Sequence, residues 1–158
     1  MNIRTLISTI LLGILFAACN GESSATRENN GAQDPAAEKW ESIMAVHDEV
    51  MPKMSSINQI SRKLRAYAEQ HPDMPAERRE EIESTVQQLS EAEEGMMKWM
   101  SQAPSQYKKL REEKSEEALM QFLEEQEAVI KKVRANMLQA IDDGKALLST
   151  LQPDQKEQ

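Results

Sequence analysis

WESIMAVHDEVMPKMSSINQISRKLRAYA, residues 40–68, is the stretch that decides the fold. Trp40, Ile43, His47, Val50, Met54, Ile57, Ser61, Leu64 and Ala68 follow one another in alternating steps of three and four. That spacing keeps one face of an α-helix inward over four heptad-like repeats. Pro52 interrupts it. Proline lacks a backbone donor, and its ring clashes with the carbonyl of Asp48, at a cost of about 3 kcal/mol in a straight helix.

Working outward, QHPDMP at 70–75 has two prolines and an aspartate, the composition of a turn. A second helix opens at Pro75, with Glu77, Glu80 and Glu81 early in the run, where the helix dipole favours acids. Its stripe is Ile82, Val86, Leu89, Met96 and Met100, and it is expected to end before Pro104. Ser115, followed by Glu116 and Glu117, is a good N-cap for a third helix carrying Leu119, Leu123, Gln126, Ile130, Val133, Met137, Ala140, Leu147 and Leu151. Residues 105–114 read either as a loop or as a further turn of helix. The expectation is an all-α fold: an elongated, coiled-coil-like antiparallel three-helix bundle, up-down-up, over residues 38–152, with 153–158 a disordered tail. Two Phe, two Tyr and two Trp leave Leu, Ile, Val and Met to build a thin core.

The chain starts differently. MNIRTLISTILLGILFAAC has one positive charge at Arg4, an apolar run from Leu6 to Leu15, then small residues and Cys19. This is the layout of a secretory signal peptide over 1–18. The apolar run is shorter than the roughly 20 residues that span a bilayer. Leu15-Phe16-Ala17-Ala18-Cys19 resembles the bacterial lipobox, with Phe16 where leucine is commonest. The resemblance implies that Cys19 becomes the lipidated first residue. Asn20, where aspartate would retain the protein at the inner membrane, then implies the outer membrane, on its periplasmic or surface face.

Cys19 is the only cysteine, so no intramolecular disulfide can form. Several acyl chains on it, at about 0.8 kcal/mol per buried methylene, would make attachment effectively permanent. Residues 20–37 are rich in Gly, Ser and Asn without apolar periodicity, so 19–37 reads as the lipidated cysteine and a flexible tether. Removing 1–18 takes away Arg4 and leaves 18 basic against 27 acidic residues, a net charge of −9. That balance argues against nucleic acid, whose binding needs phosphate neutralised, and against a second attachment to anionic lipid.

A tight hairpin at 71–74 pairs positions whose numbers sum to about 145–147. His47 is then expected beside Trp99 or Met100, Met51 near Met96, and Pro52 near Gly95. Met44, His47, Met51, Met54, Met96, Met97, Trp99 and Met100 share one level of the bundle, and Met120 joins them. Seven of the nine methionines after the initiator fall there. Gly95, about 1 kcal/mol worse than alanine in a helix, suggests disruption of the second helix opposite Pro52.

The cluster fits three roles: methionines filling an irregular core, a groove for a partner helix or small apolar ligand, or a soft-metal site. In the last, Met44, His47, Met51, Met96, Met97 and Met100 would offer thioethers and an imidazole to Cu(I) or Ag(I). The arrangement is similar to the Met/His/Trp sites of periplasmic copper and silver chaperones, and on that likeness Trp99 would cover the ion by cation–π contact.

Other chemistry finds no pattern. His47 and His71 are too far apart for a helical zinc pair, and no Glu-x-x-His pairs exist for a di-iron site. There is no nucleophile elbow, phosphate-binding glycine loop or calcium loop. Consecutive helical residues point about 100° apart, so His47, Asp48 and Glu49 do not converge on one substrate atom. Catalysis is not expected.

VHDEVMPKM (46–54), EEGMMKWM (93–100) and EEALMQFLEE (116–125) together resemble a family of small helical lipoproteins of Bacteroidetes, some labelled "viral A-type inclusion protein". The likeness spans most of residues 40–148. It implies a helical envelope lipoprotein and transfers no activity, ligand or catalytic residue. The expected role is a non-enzymatic structural or interaction module, without a cofactor, that docks an envelope protein at the membrane. Thin amphipathic bundles also complete their cores by self-association, which leaves a homo-oligomer open.

Overall fold

The computed structural model describes residues 34–151; the expected signal peptide, Cys19 and the tail lie outside them. The described residues form three antiparallel rods and contain no strand. The first rod is α1 (Pro35–Val50), a 3-10 turn (Met51–Lys53) and α2 (Met54–Gln70). The second is α3 (Ala76–Glu113) and the third α4 (Glu116–Leu151). At 1.5 Å per residue, the 38 residues of α3 extend about 57 Å. Among the described residues no helix is long and apolar enough to cross a membrane.

Side-chain bridges show the register. Asp34 pairs with Arg111, and Asn58 Nδ2 donates to Glu93 at 3.2 Å, so α1 and α2 run against α3. Lys39 donates to Glu127 at 2.6 Å and Arg134 to Glu49 at 2.7 Å, so α1 runs with α4. The core is the expected seam. Ile43, Val50, Ile57 and Leu64 from the first rod meet Ile82, Leu89 and Met96 from α3 and Leu123, Ile130 and Met137 from α4, all essentially without solvent exposure. Each such side chain contributes about 1.5–3 kcal/mol of burial.

Three boundaries differ from expectation. Helix α1 starts at Pro35 rather than residue 38, because Asp34 caps it: Oδ1 accepts from the N–H groups of Ala36 and Ala37, both at 3.1 Å. Residues 34–37 thus belong to the bundle rather than the tether. Second, α3 does not end before Pro104; it runs through to Glu113, so 105–114 is helix up to the cap. The physical reason is tertiary. Ala103 is buried, Leu110 packs on the core and Tyr107 stacks on Trp40, and this packing outweighs the lost hydrogen bond. Third, the disruption expected on both sides of the hairpin occurs on one. Pro52 is absorbed by the 3-10 turn, while α3 passes Gly95 without a break.

The α3–α4 connection is only Lys114 and Ser115. Lys114 takes the left-handed conformation at φ 55°, ψ 31°, and its N–H bonds to the carbonyl of Arg111 at 3.4 Å. Leu119 N–H returns to the Ser115 carbonyl at 2.9 Å, which starts α4 where the sequence placed it.

Candidate functional site

The candidate site begins with what separates α1 from α3. Helix α1 lies closer to α4 than to α3, and aromatic rings fill the wider seam. Tyr107 stacks on Trp40 with centroids 4.3 Å apart and planes 7° apart. Trp40 stacks on Trp99 at 6.1 Å, and Trp99 on His47 at 5.6 Å and 30°. The Arg111 guanidinium caps the far end, 5.9 Å from the Tyr107 centroid. His47 therefore sits beside Trp99, as the hairpin count requires.

His47 is held at both faces of its environment. Its Nδ1 lies 2.8 Å from Asp48 Oδ1, and its side chain is only 13% exposed. Nε2 is shielded from solvent and has no hydrogen-bond partner among the described residues; the Trp99 indole N–H is in the same condition. Two buried polar atoms without partners are unusual in a bundle otherwise well satisfied.

The methionines divide. Met96 is fully buried in the core, and Met44, Met51, Met54, Met100 and Met120 are partly buried against it. Met97 is 52% exposed, so the structure separates it from the rest of the candidate set. One residue past Met96 on a helix, it turns to the outer surface. Among the described residues no three His, Cys, Asp or Glu side chains come together as a ligand set. The donors near His47 are thioethers instead.

On the outer side of the α3–α4 pair, away from α1, lies an open groove of about 820 Å³. Trp99 and Ala103 from α3, and Phe122 and Val133 from α4, floor it. Val129, 43% exposed, stands in it. Its only charged lining residues are Lys98 and Lys132, in a chain with a net charge of −8. Reading one stripe per helix missed this groove. The signal was Phe122 and Val129, two apolar residues seven apart on α4 beside the core row.

Ion pairs tie the rods around these features. Lys131 and Lys39, donating to Glu127, hold its carboxyl down to about 2. Arg134 lowers Glu49, and Arg111 lowers Asp34, each chiefly through a direct hydrogen bond. His47, Asp48 and Glu49 are thus dispersed in role: two bond each other and the third reaches α4.

Comparison with protein-family models, with curated proteins and with solved structures finds no match to this chain.

Proposed function

We propose that this chain is a lipoprotein of the bacterial cell envelope, anchored through lipidated Cys19, most consistent with the outer membrane, and acting as a non-enzymatic interaction module. The α3–α4 groove carries the reading: of the outer furrows between rods, this one is floored by Trp99, Ala103, Phe122 and Val133, with Val129 standing exposed in it. It follows α3 from Gly95 to Gln106, about 16 Å at 1.5 Å per residue. That length suits about three turns of an added helix with anchors at i, i+3 or i+4, and i+7.

The occupant we assign is an amphipathic helix of an envelope protein with acidic residues flanking its apolar stripe. Lys98 and Lys132 stand at the groove and no acidic residue lines it, so charge complementarity favours an acidic partner. The same two lysines disfavour groove-on-groove pairing of two copies. The chain's entry at Asp34 and the Lys114 turn share one end of the bundle. The family resemblance stated above agrees with this reading and adds no partner.

Two experiments test it. Labelled palmitate should enter the wild-type protein and not Cys19→Ser, which should also leave the membrane fraction; equal labelling of both would sink the anchor. A photo-crosslinking residue at position 129 should give one discrete adduct that weakens with salt, while the same residue at exposed position 63 on α2 gives none. Identical patterns from the two positions would remove the groove from consideration.

A further inference from the structure

We propose that His47, with the thioethers of Met44 and Met51, is a binding site for a soft monovalent cation, Cu(I) or Ag(I), closed on one side by the Trp99 ring. The site shares Trp99 with the α3–α4 groove but none of its proposed ligands, and it does not depend on the reading given for that groove. The nitrogen comes first. With Nδ1–H donating to Asp48 Oδ1 at 2.8 Å, the neutral imidazole carries its free lone pair on Nε2. A carboxylate on the other ring nitrogen is the usual support of a metal-binding histidine, fixing tautomer and ring orientation. That prepared lone pair is buried and meets no donor among the described residues. Leaving it so forfeits its hydration without return, and a coordinated cation would restore the loss.

The neighbours select the kind of cation. Met44 is three residues before His47 and Met51 four after, positions one turn away on the same helix face. The Met51 N–H bonds to the His47 carbonyl at the entry to the 3-10 turn, which keeps that last turn closed just where Pro52 would otherwise splay it. Both side chains are half-buried, and the unbranched thioether can swing without backbone change. Two thioethers and one imidazole form a soft set suited to Cu(I) and Ag(I). The one carboxylate at hand, Asp48, is spent on Nδ1 and faces solvent, so hard divalent ions lack their oxygen ligands. Trp99 stacks on the imidazole with ring centroids 5.6 Å apart, which sets an aromatic ring beside the proposed ligand nitrogen.

The test titrates the full-length protein with Ag(I), and with Cu(I) against a competing chelator, in a Cys19→Ser background so that the thiol does not take the ion. The expected result is one-to-one binding that quenches Trp fluorescence and shifts the His47 Nε2 nitrogen resonance. His47→Gln should lose at least a hundredfold in affinity, and Asp48→Ala ten- to a hundredfold. Met51→Leu, near-isosteric and so expected to keep the fold, should lose at least tenfold. Binding no tighter than that of free methionine overturns the proposal and leaves the two orphan nitrogens to a bridging water. Binding that survives His47→Gln but disappears in Met97→Leu overturns it equally, because the ion then sits on the exposed thioether.

Discussion

Gly144 of α4 lies against Ile60 of α2 so closely that a Cβ built on the glycine would come within 2.6 Å of the Ile60 Cγ2 methyl. Leu89 of α3 closes the same space at 3.4 Å from that Cβ position. All three rods therefore meet closely at one residue without a side chain. Ile60 is β-branched and stiff at χ1, so it has little freedom to yield.

Gly144→Ala should accordingly destabilise the bundle by about 1–3 kcal/mol despite its better helix propensity. Gly95→Ala should do the reverse. There the added Cβ meets only Val133 Cγ2, at an ordinary 3.9 Å, and the gain in propensity is about 0.5–1 kcal/mol. Urea unfolding of the two variants checks the pair; equal signs would refute the packing argument.

Lys114 holds a left-handed backbone that costs a residue with a Cβ about 1–2 kcal/mol. Lys114→Gly removes that strain but loosens the unfolded chain, and a net gain of about 0.5–1 kcal/mol is expected. The same denaturant midpoint reads it, and a loss of stability would mean that the lysine side chain contributes more than its backbone costs.

Pro104 sits exposed inside α3 and withholds a hydrogen bond from the Met100 carbonyl. Pro104→Ala should raise stability by about 1–3 kcal/mol. Circular dichroism should show no gain of helix beyond a residue or two, since α3 is already continuous; a large gain would mean that 105–113 is not helical in solution.

Acid should weaken the bundle through its inter-rod carboxylates. The folded-state values of Glu127, Glu49 and Asp34 are depressed, and Glu127 is held to about 2 against an ordinary 4.5. A depressed carboxylate contributes stability above its unfolded value and loses it as pH falls toward the folded one. The thermal midpoint should therefore be flat near neutrality and decline from about pH 5 toward pH 2. Glu127→Gln should flatten part of that decline, and a slope identical to wild type would exclude Glu127 as a contributor.

Much of this molecule was legible in the order of its residues. The three-and-four spacing from Trp40 to Ala68 specified a helix, since burial has to recur once per turn. The prolines at 72 and 75 specified the reversal, and counting back from it brought His47 beside Trp99, because a tight hairpin leaves little freedom of register. Ser115 likewise marked the start of α4. Other features had no local signal. Pro104 reads as a helix end, yet Tyr107 on Trp40 and the buried Ala103 hold α3 straight through it. Nothing within a turn or two marks Gly144 as necessary; the close packing of Ile60 from a distant segment does. Periodicity and turn chemistry depend on neighbours within a turn or two, so sequence alone determines them. Which helix-breaking residues are tolerated, which glycine is needed and where a groove stays open depend on contacts between rods, and only the assembled bundle decides those.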